Sequence, residues 1–135
     1  MLTSGNIQLL FTLLVIFQVK QFVADFPLQF PYMLKKLSKG WEFVLPLSMH
    51  CGVHALLTFL ICLFTVPALW WLAVVDFLVH FVMDRIKSGP RYLGRFNDVH
   101  RSPYWIAFGF DQMVHHLTHL FIIWVLIHNM PDFVF

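Results

Sequence analysis

Four apolar stretches, each long enough to cross a bilayer, make up most of this chain, and nothing else in it limits the fold so strongly. A spanning helix needs about 20 mostly apolar residues. The segments from Ile7 to about Phe30, from Trp41 to Val66, from Ala68 to about Ile86 and from Pro103 to His128 each meet that need. A soluble protein of 135 residues could not hide so much apolar surface: 59% of its residues are hydrophobic and 12% charged, against about a quarter charged in ordinary soluble domains. The fold expected is all-α: a polytopic membrane protein, one four-transmembrane-helix bundle over residues 1–135. The same composition excludes a disordered tail, a secreted disulfide scaffold and a soluble enzyme. Cys51 and Cys62 both lie in apolar sequence and read as small core hydrophobes. No basic cluster precedes Ile7 and no small-residue cleavage site follows the first run, so no cleavable signal peptide is expected.

The breaks between segments have ordinary causes. Pro27 and Pro31 weaken and end the first helix. Pro67 separates the second and third in a tight hairpin, and Ser88-Gly89-Pro90 stops the third. Ser102-Pro103 has the pattern of an N-cap followed by proline at the first helical position. Of nine lysines and arginines, only Lys20 lies in mid-span. Lys35, Lys36 and Lys39 follow the first segment; Arg85, Lys87, Arg91, Arg95 and Arg101 lie at or after the end of the third. Four spans put both basic loops on one side, the cytoplasmic side under the positive-inside rule. A bacterial inner membrane with both termini periplasmic follows. Trp41, Tyr104 and Trp105 fall at the inner boundary and Trp70, Trp71 and Trp124 near the outer one, as aromatic belts do. Lipid is the expected partner. A net charge of +2 is too small for nucleic acid.

Every apolar segment is interrupted by polar groups four residues apart, a spacing that puts them on one helical face. The first carries Gln21, Asp25 and Gln29; the second, His50 and His54. The third carries Asp76, His80 and Asp84; the fourth, Asp111, His115 and His119, with Gln112 and His116 beside them. At about 1.5 Å of rise per residue, Asp25 and His80 lie roughly 8–9 Å from the inner end of their spans, Asp111, His50 and Asp76 about 12–15 Å, and His54 and His115 about 18–20 Å. Four separate stripes thus reach one layer in the inner half of the membrane. An ionised residue at mid-membrane costs about 2.5–3.5 kcal/mol even on the lenient scale. Half a dozen unpaired would exceed about 10 kcal/mol, comparable with a whole fold's net stability. These groups must therefore be paired, metal-bound or hydrated.

Three readings compete. In the first, His50, His54, Asp76, His80, Asp84, Asp111, His115 and His119 hold a divalent metal. His-x-x-x-His places two imidazoles on one helical face, as in helices that chelate zinc. Imidazole with carboxylate suits Zn, Fe or Mn. Asp25, Gln29, Gln112 and His116 would orient the ligands or extend the polar site; His116 and Gln112 point about 100° away from their neighbours, toward the site's edge or toward a second copy in a homo-oligomer. In the second reading the stripes line a metal-free proton or ion pathway. In the third they only hold the bundle together. Lys20 either pairs with a carboxylate or snorkels. His128 reads as interfacial, and Asp98 and His100 as solvated loop. Lys87, Arg91 and Arg95 are candidates for contact with an anionic lipid or substrate.

Four stretches carry a resemblance: Asp25-Phe-Pro-Leu-Gln29, His50-x-x-x-His54, His80-x-x-x-Asp84-x-x-Lys87 and Asp111-Gln112-x-x-His115. In this order they resemble the bacterial and phage membrane family catalogued as domain of unknown function 3307, from about Gln21 to His119. Members of that family often carry histidine four residues before the first Asp; here that position is Gln21. The loop from Arg91 to Arg101 is similar to that of phage-encoded members. The resemblance implies a membrane bundle and supports the choice of polar positions, and it implies no activity.

The leading functional expectation is an intramembrane Asp/His site that binds a divalent metal. Such a site suits a metal-dependent hydrolase acting near the cytoplasmic leaflet on an amphipathic substrate. A transporter or proton pathway is the second class, although the outer halves, Leu56 to Val66 and Leu120 to Leu126, are apolar. A non-catalytic, phage-encoded protein acting on host membrane components is the third. The topology has a direct test. Single cysteines near Arg91 and Lys36 should resist a membrane-impermeant thiol reagent in intact cells, while cysteines near either terminus should label. Labelling of the Arg91 region from outside would invert the orientation.

Overall fold

The computed structural model of the chain describes residues 4–130. It is all-α, with no strand among the described residues. Four helices carry it: α1 (Ser4–Asp25), α2 (Val44–Thr65), α3 (Leu72–Ser88) and α4 (Ser102–Asn129). Short 3-10 turns at Pro31–Leu37, Trp41–Phe43, Pro67–Leu69 and Leu93–Arg95 fill the connections. Each helix packs against its neighbour in sequence, and α4 closes the ring against α1. All four helical segments are long and apolar enough to cross a membrane.

Two boundaries differ from the sequence expectation. α1 ends at Asp25 instead of running on to about Phe30. Pro27 lacks an amide hydrogen and disfavours helix at the residue before it. The chain turns over residues 26–28, becomes extended at Phe30, and re-forms as the 3-10 turn from Pro31, which packs back against α2 and α3. At α4 the N-cap is Arg101, with no side-chain cap bond, so Ser102 opens the helix instead of capping it. Proline in the first turn is tolerated there, as Pro46 is in the first turn of α2, because those amide groups have no partner within the helix.

The interior divides along the bundle. The half next to the Pro67 turn and the chain ends is apolar: Leu13, Phe17, Cys62, Leu72, Ile122 and Leu126 are all within about 1% of complete burial. The half next to the two basic connections holds the buried polar residues. Large apolar side chains such as Phe11, Phe64, Leu78, Val82, Ile106 and Leu117 cover the outside. Water would oppose such a surface; lipid does not.

Because lipid is as apolar as the core, these helices associate through packing and polar contacts and not through expulsion of water. Truncating a packed core residue should therefore cost the cavity part of the usual penalty. Phe17→Ala should lower stability in detergent by about 2 kcal/mol or more, whereas Phe64→Ala, on the outer face, should change it by about 0.5 kcal/mol or less. Thermal unfolding of the two variants checks this.

A candidate cation site among buried Asp and His residues

At the deeper end of the polar half, Asp76 of α3 is completely buried and gathers groups from all four helices. Lys20 of α1 donates to its Oδ2 at 2.6 Å. The Thr58 hydroxyl of α2 donates to the same oxygen. His80, one turn along α3, places Nδ1 3.0 Å from Oδ1 and 2.9 Å from the Asp76 backbone carbonyl. His119 of α4 has Nε2 3.8 Å from Oδ1 and 3.1 Å from the Lys20 ammonium. The undecided Lys20 is thus a buried partner for a carboxylate. Its place was readable in its spacing, since Leu13, Phe17, Lys20 and Ala24 are four buried positions on one face of α1.

Nearer the basic connections, two more groups form. Asp25, at the end of α1, sets Oδ1 3.0 Å from His54 Nε2 and 3.6 Å from His50 Nε2, while Gln21 donates to its Oδ2 at 2.7 Å. Asp84 of α3 has Oδ2 3.2 Å from His50 Nε2 and accepts from Lys36 at 3.1 Å. Its Oδ1 lies 3.7 Å from His115 Nε2. Asp111 accepts from Lys87 at 2.7 Å and from Gln112 at 3.2 Å, with His115 Nδ1 3.6 Å from its other oxygen. Lys36 gets there because the 3-10 turn after Pro31 doubles back; it also donates to Gln29 at 3.2 Å. A sequence pattern does not contain that reversal, so Lys36 looks like an ordinary loop cation beforehand.

The eight residues expected to offer metal ligands thus fall with Asp25 into three groups: Asp25–His50–His54, Asp76–His80–His119 and Asp84–Asp111–His115. In each, the three ligand atoms lie within 4.8 Å of one another, so each could hold a metal ion. Asp111 and His115 do not meet His50 and His54 directly; Asp84 stands between the pairs. The imidazoles run as a column. Ring centres are 4.9 Å apart for His50–His54, 4.1 Å for His54–His80 and 4.1 Å for His80–His115, the last pair nearly parallel. Several buried atoms have no hydrogen-bond partner, including Nδ1 of His50 and His54, Nε2 of His80 and both ring nitrogens of His115. The remaining candidates lie outside the groups. His116 turns to Gln18 at 3.3 Å, Arg91 and Arg95 are exposed, and His128 stacks on Trp124.

Counting charges separates the three groups. Asp76, Asp84 and Asp111 each hold a lysine ammonium, on Lys20, Lys36 and Lys87. Asp25 has none; its polar contacts are His50, His54 and Gln21. With the imidazoles counted as neutral, the cluster keeps one uncancelled negative charge, and it lies on Asp25, the one of the four carboxylates that is partly exposed, at 23%. The spacing there suits an ion as well. Two ligands on one tetrahedral zinc stand about 3.3 Å apart when each is about 2.0–2.1 Å from the metal, and the two Asp25–histidine distances of 3.0 and 3.6 Å bracket that value. In the Asp76 group an ammonium already occupies the space between carboxylate and imidazole.

Residues 10–135, nearly the whole chain, match the family described as protein of unknown function (DUF3307), and the chain belongs to that family. No curated protein and no solved structure matches it significantly.

The Lys20–Asp76 pair can be tested as a unit. Removing one member leaves a buried charge uncompensated, at a cost of about 3–5 kcal/mol, whereas removing both is far milder. Lys20→Met should strongly lower the melting temperature in detergent, and Lys20→Met with Asp76→Asn should recover most of the loss. Equal melting temperatures for the single and double variants would show that the pair is not coupled.

Proposed function

We propose that Asp25, His50 and His54 bind a divalent metal, Zn, Fe or Mn, in the cytoplasmic half of a bacterial inner membrane, with both chain termini periplasmic. We further infer that the protein is a hydrolase for an amphipathic substrate. One observation carries this reading: Asp25 alone of the four clustered carboxylates has no lysine, and two imidazole nitrogens face it at ligand spacing. The donor set is two histidines and one carboxylate, hard to borderline ligands with no thiolate. Cys51 and Cys62 are buried but belong to none of the three groups.

A metal held there would supply a Lewis acid that polarises an ester carbonyl or a phosphoryl oxygen. The chain's own groups do the rest. Gln21 fixes the Asp25 carboxylate through its second oxygen. Asp84 flanks the same nitrogen of His50, at 3.2 Å, and is itself held by Lys36. His115, across Asp84, has both ring nitrogens without hydrogen-bond partners and would receive the proton lost by an attacking water. Access favours the cytoplasmic leaflet. A cavity of about 320 Å³ at the basic end is lined by Lys36, Asp84, Lys87, Tyr104 and Phe108, polar toward the cluster and aromatic elsewhere. The opposite half of the bundle is sealed by Leu13, Phe17, Leu72 and Leu126.

The imidazole column supports a second reading, a proton relay. It also ends against that apolar seal, which counts against transport across the whole membrane.

Elemental analysis decides between them. Purified wild type should carry about one Zn, Fe or Mn per chain, and a chelator should lower its melting temperature by several degrees, since a ligand at a hundred times its Kd stabilises by about 2.7 kcal/mol. Asp25→Asn and His54→Ala should lose both the metal and the chelator response, and His128→Ala neither. A metal-free wild type whose melting temperature ignores chelator would overturn the proposal.

A further inference from the structure

Three basic residues at the same end of the bundle are used differently from the lysines of the cluster. Lys39, Arg85 and Arg91 line a groove of about 720 Å³ between the connection preceding α2 and the one following α3. No carboxylate lines it, and none of the three forms an ion pair among the described residues. Its walls include Trp41, Phe43 and Tyr92. Arg85 is fixed in place: its guanidinium lies 3.5 Å from the centre of the Phe43 ring and donates to the Ser38 carbonyl at 3.1 Å. Tyr92 is fixed too. A Cβ at Gly89 would lie 2.7 Å from its ring and from the Arg85 carbonyl oxygen, so the chain folds back this tightly only with glycine there.

The groove's depth in the membrane follows from its elements. Trp41 begins the second membrane-length segment and is 86% exposed, and Arg85 sits in the last turn of α3. Arginine, lysine and amphipathic aromatic rings at that level meet lipid headgroups. We infer that this groove, independently of any metal at Asp25, binds the phosphate of an anionic membrane lipid. Arg85 and Arg91 would grip the phosphate oxygens, and Lys39 would add charge. Trp41 and Tyr92 would lie along the glycerol and the first acyl carbons. Three positive charges without counter-ions, in a concave site with apolar walls, suit a phosphate that arrives attached to a lipid.

The test is native mass spectrometry of the full chain in neutral detergent, titrated with phosphatidylglycerol or phosphatidylcholine, with inorganic phosphate as a third arm. Wild type should retain one phosphatidylglycerol in preference to phosphatidylcholine, and millimolar phosphate should not displace it. Lys39→Gln with Arg91→Gln removes two side chains that make no hydrogen bond or ion pair among the described residues, and should weaken retention roughly 25-fold, about fivefold per charge. Arg85→Gln added to that pair should weaken it further; if the triple variant fails to fold, the double variant still decides. Lys35→Gln with Arg101→Gln removes the same charge from the same end of the molecule, outside the groove, and should leave retention within about twofold. The proposal is overturned if the Lys39/Arg91 variant retains lipid like wild type. It is equally overturned if the Lys35/Arg101 control loses as much, which would mean diffuse surface attraction, or if inorganic phosphate displaces the lipid, which would mean a site for free anions.

Discussion

A carboxylate buried among membrane helices has to be cancelled at contact distance, and the contact of Lys20 with Asp76 at 2.6 Å is the clearest case here. Neither group has water available: their side chains are 3% and 0% exposed. The same requirement accounts for Lys36 on Asp84 and Lys87 on Asp111. It also explains why all four polar faces turn inward. A helix rotated to show Asp76 or Asp111 to lipid would lose its lysine and incur the several kcal/mol charged by the bilayer. With little hydrophobic force between helices in lipid, these ion pairs and the imidazole packing do much of the work of holding α1 and α4 to the rest.

That cancellation stops one charge short, and the shortfall has a location. Asp25 lies where α1 breaks, beside His50 and His54, near the basic connections and away from the apolar half. Leu13, Phe17, Leu72, Ile122 and Leu126 fill the opposite half of the interior. The cavity at the basic end reaches Asp84, which contacts His50. The groove lined by Lys39, Arg85 and Arg91 opens there as well. The basic residues thus divide by partner: Lys20, Lys36 and Lys87 reach inward onto carboxylates, while Lys39, Arg85 and Arg91 at the rim form no ion pair among the described residues.

Much of this arrangement is legible in the sequence because its causes are periodic. Length and hydropathy identify four membrane-length helices. The i, i+4 spacing of His50 with His54, Asp76 with His80 and Asp84, and Asp111 with His115 and His119 identifies the inward faces. The missing parts are those that depend on how the chain turns. Pro27 ends α1 early, which leaves Asp25 at a helix terminus, and the 3-10 turn from Pro31 swings Lys36 back onto Asp84. Neither follows from periodicity. Nor does the grouping of the ligands: spacing along one helix says which residues share a face, but not that Asp84 would separate His50 from His115 or that Asp25 would join the histidines of α2. Gln21, one turn before Asp25 on α1, donates to its second carboxylate oxygen, a contact its i, i+4 spacing does allow.

On the proposed reading, the uncancelled charge on Asp25 makes Asp25, His50 and His54 the cation site, while the three lysine-bearing carboxylates stay out of it. X-ray absorption at the edge of the bound metal reports that ligand set directly. The expected spectrum shows a shell of nitrogen and oxygen donors only, with outer-shell scattering from two imidazoles, and is the same in Asp111→Asn as in wild type. A sulfur donor, three or more imidazoles, or a spectrum that changes with Asp111→Asn would contradict it.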